Sequence, residues 1–294
     1  MVNWYKEYRA SLKTLETEEF LDLIIYRPLG FLVVKLVGNT KVTPNQLTFA
    51  ALVAGVTAGI VFAFGTREAF MAGSLLYFLF NVLDCSDGQL ARLKRNGTPA
   101  GRIVDGAADY IAGFAVFLGI GFGFMHVYGN PLIWWLLLTA AAISNIAHSI
   151  VTDNERLRYM KNAYGRKDAF VEELDEYRRE LARLESTPHS PWFDRFILRS
   201  YLKYMQLAVS MDKPAQGMPS TINYEEGYRQ SFRNIIKAWT FLGPTTHITI
   251  VVVGAWFMRP NISAWIILLP MNLYWLIIFL IQKHKLKRFP QTTS

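Results

Sequence analysis

Cysteine is nearly absent from this sequence: Cys85 stands alone among 294 residues. That excludes an intrachain disulfide and leaves the redox compartment unreadable, so Cys85 is expected to pack as a small residue. There is no glycine-rich nucleotide loop of the Walker or dinucleotide type, and no serine nucleophile elbow. No internal repeat is visible. Residues 1–12 are charged and aromatic, without the short apolar core and small-residue cleavage site of a secretory signal, so no N-terminal processing is expected. Charge is also scarce. Charged residues make up 18% of the chain against 52% hydrophobic and 14% aromatic, and mean hydropathy is positive. Such a composition points to a bilayer rather than to one or two soluble domains.

What is present is a series of apolar runs near the length that spans a bilayer. Six spans are read at roughly 47–65, 69–92, 103–127, 131–151, 237–258 and 262–281. The formal net charge of +8 would raise the question of nucleic acid on a soluble protein, but its placement argues otherwise. Arg67 and Arg259 are the only basic residues in the segments assigned outward, and all the others fall on the opposite side. The positive-inside rule then places both termini and the loops at 93–102 and 152–236 in the cytoplasm.

The expected fold is an all-α, polytopic membrane protein of six transmembrane helices. It has an N-terminal interfacial segment at 1–46, spans one to four at 47–151, a helical cytoplasmic insertion at 152–236, and spans five and six with a basic tail at 237–294. The apolar stretch 20–37 is interrupted by Asp22, Arg27, Pro28 and Lys35, which makes it a poor spanning helix. With Trp4, Tyr5, Leu21 and Ile24 it reads as a helix lying among headgroups, or as a cytosolic cap. Thr43, Pro44 and Asn45 then form the turn into the first span.

The insertion is too long and too polar for a simple connection. Phe170, Leu174, Tyr177, Leu181 and Leu184 form an apolar seam at helical spacing. It covers barely two heptads, which favours docking on its own chain over docking on a partner. Trp192, Phe193, Phe196, Ile197 and Tyr201 interleave with Arg195, Arg199 and Lys203, the pattern of an interfacial helix facing anionic headgroups. From 211 to 223 the composition predicts an irregular loop.

The chemistry concentrates at the end of the second span. Asp84, Asp87, Gly88 and Ala91 share one helical stripe, and Asp105 and Asp109, four apart, share another on the third. A tight turn containing Lys94, Arg95, Asn96, Gly97 and Pro99 brings the two helices back antiparallel. Four carboxylates can then converge at the inner membrane surface, where they repel one another unless something positive is held among them. A salt-bridge network with Arg92, Lys94, Arg95 and Arg102 is one solution and bound cations are the other. Acids inside spans mark function by default. Oxygen donors without nearby His or Cys favour magnesium or manganese over zinc, and four carboxylates are enough for two ions. Gly88 and Gly101 allow close approach of a nucleotide or of a helix, and Arg92 can clamp a phosphate or snorkel.

The run Asp84-x2-Asp87-Gly88-x2-Ala91-Arg92-x8-Gly101-x3-Asp105-x3-Asp109 resembles the signature of the CDP-alcohol phosphotransferase family, with no departure in residue or spacing. The resemblance covers this motif, the 43–45 turn and the six-span layout, and leaves the 152–236 insertion uncovered. It implies transfer of a substituted phosphate from a CDP-linked donor to an alcohol, with release of CMP, in phospholipid or related lipid synthesis. By similarity Asp84, Asp87, Asp105 and Asp109 bind two Mg2+ or Mn2+ ions, and Asp109 also takes the proton of the attacking hydroxyl. Gly88, Arg92 and Thr98 match positions that contact the CDP part in relatives. Asn45 lies in a turn that does likewise, and Gly101 is grouped with them. One substrate carries acyl chains and enters from the bilayer, the site faces the cytoplasm, relatives are commonly homodimers, and no nucleic acid is implied.

Three further observations bear on alternatives. His148 and His247 fit packing better than a substrate role. Asn145, Asp153, Arg156 and Arg158 suit either headgroup recognition or anchoring. Intramembrane prenyltransferases also use aspartate pairs on a diphosphate, but on well-separated helices, and an ion carrier would show inverted repeats or broken helices.

Overall fold

A computed structural model describes residues 2–12, 14–128, 131–165, 169–187, 190–209 and 222–289. Among the described residues the architecture is all-helical, with six helices long and apolar enough to cross a membrane. A short α1 (Val2–Ser11) precedes a π-helical turn at Asp22–Tyr26 and α2 (Arg27–Val37). Four long helices follow: α3 (Pro44–Phe62), α4 (Arg67–Lys94), α5 (Pro99–Tyr128) and α6 (Pro131–Tyr164). Next come α7 (Ala169–Ser186), α8 (Trp192–Val209), α9 (Ile222–Thr240), α10 (Pro244–Trp256), α11 (Pro260–Ile266) and α12 (Asn272–Arg288), with a second π-turn at Ile267–Met271.

Helix starts follow local chemistry. Thr43 caps α3 in a reciprocal capping box with Gln46, and Pro44 occupies the first helical turn. Thr66 caps α4, and Arg95 ends it in the left-handed conformation, φ 53°, ahead of Pro99. The helices α3, α4 and α5 pack closely. A Cβ on Gly119 would stand 1.9 Å from the Gly59 carbonyl oxygen, so glycine is what lets α3 and α5 touch backbone to backbone. Phe62, Phe70, Phe80 and Phe124 fill the core between them.

The long helices extend past the expected spans. Helix α6 continues to Tyr164, and α9 packs back along it, so the two ends of the 152–236 stretch extend the bundle. Of the stretch 211–223, residues 211–221 lie outside the described residues; Ile222 and Asn223 open α9 instead of closing a loop. The helices α7 and α8 form a hairpin whose apolar side, Leu174, Tyr177, Leu184, Leu198 and Leu202, closes on Ala100 and Ile103 of α5. The seam therefore docks on its own chain.

His148 and His247 pack as a pair. His148 Nδ1 lies 3.1 Å from His247 Nε2, and His148 Nε2 lies 3.2 Å from Asn272 Oδ1. His247 Nδ1 reaches the Gly243 carbonyl at 2.9 Å. Asn272 also donates to the Leu268 carbonyl at 2.9 Å, within the π-turn that carries Pro270. The network ties α6, α10 and α12 together and uses both rings in doing so.

Candidate active site

Asp84 and Asp87 come from α4, and Asp105 and Asp109 from α5. Asp84, Asp87 and Asp105 each offer an oxygen within 4.8 Å of the other two, the spacing of a shared cation site. Asp109 completes the group from the side: its carboxyl lies beside that of Asp84, as that of Asp87 lies beside Asp105. Asp87 is buried and also accepts from the Thr48 hydroxyl of α3, whereas Asp109 is exposed. An all-oxygen, all-anionic donor set of this kind fits hard divalent cations. The nearby cations are drawn elsewhere. Arg102 pairs with Glu176 at 2.6 Å, and Lys94 donates to the Thr40 and Val42 carbonyls at 2.9 and 2.8 Å.

The residues expected at the nucleotide side also converge. A Cβ on Gly101 would stand 2.9 Å from Asn45 Oδ1 and 3.0 Å from Thr98 Oγ1, and Thr98 Oγ1 accepts from the Gly101 amide at 3.0 Å. Gly88 faces the Arg92 guanidinium, whose Nη atoms would lie 3.4 and 3.5 Å from a Cβ there. Arg92 Nε donates to the Ser11 carbonyl, and its buried Nη2 has no hydrogen-bond partner among the described residues. An unmatched guanidinium nitrogen beside the carboxylate cluster suits a phosphate oxygen.

Residues 8–12 and 14–37 wall the site, which the sequence reading missed. Gln89 donates to Ser11 Oγ at 3.1 Å, and Gly30 abuts Ser86 and Gln89 of α4. Behind this wall runs a buried charge network. Arg27 Nη2 meets Glu18 at 3.1 Å and Asp22 at 3.8 Å. Asp22 accepts from the Thr245 hydroxyl at 2.9 Å. Glu19 meets Arg156 at 3.1 Å and accepts from the Thr245 amide at 3.0 Å. Burial pushes Glu19 up to about 7, against the pull of Arg156, and raises Asp22 in the same way. The signal was present in the sequence as Asp22 and Arg27 interrupting an apolar stretch. Arg156 is held by Glu19 of the N-terminal segment and by Asp153, so it ties α6 to that segment, whereas Arg158 pairs only with Glu155 one turn away on the same helix.

Fold and site thus define a multi-span membrane protein with a cluster of carboxylates whose chemistry fits hard cations. Residues 41–171 match the CDP-alcohol phosphatidyltransferase family, and the chain carries a domain of that family there. It is 30% identical over 129 residues to a phosphatidylinositol phosphate synthase of Corynebacterium glutamicum, covering 44% of this chain and 55% of that protein. A second protein so named, from Mycobacteroides abscessus, is 29% identical over 123 residues, 38% of this chain and 50% of its own. The bifunctional IPC transferase and DIPP synthase of Thermococcus kodakarensis is 30% identical over 125 residues, 42% of this chain and 27% of its own. The chain thus spans about half the length of the first of these relatives.

Proposed function

We propose that the protein transfers a phosphatidyl-type group from a CDP-linked lipid to the hydroxyl of a polar alcohol and releases CMP. The observation that carries this reading is the meeting of Asp84, Asp87 and Asp105 from two helices within 4.8 Å, inside an unbroken family signature. Two divalent ions held by the four aspartates would supply charge neutralisation on the donor's diphosphate. Asn45, Thr98 and Gly101 receive the nucleotide, and Arg92, braced by Ser11, meets a phosphate oxygen beside Gly88. The acceptor oxygen attacks the phosphorus that carries the lipid group. The bond from that phosphorus to the CMP oxygen breaks, CMP leaves, and the hydroxyl proton passes to the Asp109 carboxylate. Asp109 is suited to this by being the exposed member, open to a second substrate. The named relatives support placing the acyl chains on the donor, as in CDP-diacylglycerol, with a phosphorylated polyol such as inositol phosphate as acceptor. A cytoplasmic site follows from the charge asymmetry, and a homodimer from the family resemblance.

The test is a panel of CDP-diacylglycerol, CDP-choline and CDP-ethanolamine against inositol phosphate, inositol, glycerol phosphate, serine and diacylglycerol, with CMP and product mass as readouts. CMP formed only with CDP-diacylglycerol and a polar acceptor supports the reading. Turnover of prenyl diphosphate without CMP release would overturn it.

A further inference from the structure

Away from the carboxylate cluster, the last span ends in a cationic rim over an apolar floor. A cavity of about 800 Å³ opens between α9 and α12, where Leu280 and Ile281 form the apolar floor, His284, Lys285 and Arg288 the rim, and Phe289 lies beyond the rim. Among the described residues, none of those lining it is acidic. Leu280 and Ile281 belong to a span-length helix that runs to Arg288, so the floor lies at acyl-chain depth and the rim at headgroup depth. Lys285 is fixed there: its Nζ donates to the Ser231 carbonyl and sits 5.6 Å from the Phe232 ring centre. The opposite side of α12 provides an internal contrast. Its cavity of about 340 Å³ is lined by Arg158, Lys283 and Lys287 but also by an acid, Glu155, which accepts from Gln282 at 2.5 Å and pairs with Arg158 at 3.1 Å.

We propose that the α9–α12 cavity is a binding site for an intact anionic phospholipid, with its phosphate on Lys285, Arg288 and His284 and an acyl chain along Leu280 and Ile281. Basic pockets between membrane helices take anionic headgroups because each cation near the surface contributes while the chains remain in hydrocarbon. The depth match selects a lipid over a free phosphate, since a soluble anion has no use for the apolar floor. The site stands apart from the transfer reaction and holds whether or not that reading survives.

The experiment is native mass spectrometry of the purified full chain in detergent, titrated with phosphatidylglycerol, phosphatidylcholine and, as a chainless headgroup, glycerol phosphate. The expected result is retention of phosphatidylglycerol over phosphatidylcholine, weakened about tenfold or more in Lys285→Gln/Arg288→Gln, with glycerol phosphate unbound. The single variant Arg288→Gln keeps the Lys285 contact to α9 and should still lose affinity, so a folding defect in the double variant does not decide the matter. Lys283→Gln/Lys287→Gln removes equal charge from the opposite face and should leave retention unchanged. Equal retention of both lipids, equal loss in the two double variants, or binding of glycerol phosphate alone would each overturn the proposal.

Discussion

Asp109 differs from the other carboxylates in being exposed and in standing beside Asp84, outside the close group of three. A residue so placed can lose its basicity without dismantling the cation site. Asp109→Asn is expected to lower kcat by ~10²–10⁴ while donor affinity, measured by equilibrium binding, changes little. Asp84→Asn should lose both. The two glycines separate packing from ligand contact. Gly101→Ala forces a Cβ to 2.9 Å from Asn45 Oδ1, so Asn45 and Thr98 must shift and the donor KM should rise. Gly88→Ala meets only the tips of Arg92 at 3.4 and 3.5 Å, so thermal stability should hold. Any rise in donor KM there reports the absent side chain's use by the ligand; unchanged KM would remove Gly88 from the nucleotide site.

Two elements fasten the site to the bundle by different physics. The N-terminal segment does so through buried charge. Glu19 holds its proton up to about pH 7 in the folded chain against an ordinary 4.5, so the folded state binds more protons than the unfolded state between those values. Its contribution is therefore fully present below pH 4.5 and falls as pH rises toward 7, with no further change above. Glu19→Gln should flatten that part of the profile of Tm against pH. Arg156→Ala strips the cation from a buried carboxylate and should cost ~3–5 kcal/mol above pH 7, seen as a large fall in Tm. The α7–α8 hairpin instead rests on apolar burial. Arg102 and Glu176 are about half exposed, so Arg102→Ala should cost under ~1 kcal/mol. Leu198→Ala, at a fully buried position, should cost ~2–5 kcal/mol, and hydrogen exchange should rise across both helices.

At the scale of the whole molecule, six span-length helices and the one-sided placement of basic residues make orientation testable. In a Cys85→Ala background, Phe257→Cys and Arg95→Cys lie in segments assigned to opposite sides, and both positions are exposed. An impermeant maleimide added to intact cells should label Phe257→Cys and leave Arg95→Cys unreacted; the reverse pattern would invert the topology. Chelation should stop CMP release, and Mg2+ or Mn2+ should restore it. Activity that survives complete removal of divalent cations would refute the role assigned to the aspartates.

The spans and the aspartate stripes were legible in the sequence because both are local: hydrophobic length decides the first, and the 3.6-residue period puts Asp84 with Asp87 and Asp105 with Asp109. Hard-cation chemistry followed from residue type alone. The meeting of the two stripes also needed little more than a short turn. Ser11 beneath Arg92, Thr48 on Asp87 and Thr245 between Glu19 and Asp22 were decided by tertiary structure. Each joins residues distant in sequence, from 39 between Thr48 and Asp87 to 226 between Glu19 and Thr245. Such partners carry no period or spacing of their own. Nor could composition choose between anchoring and headgroup recognition for Arg156, since a guanidinium serves either; the buried carboxylate of Glu19 that the fold brings to it favours anchoring.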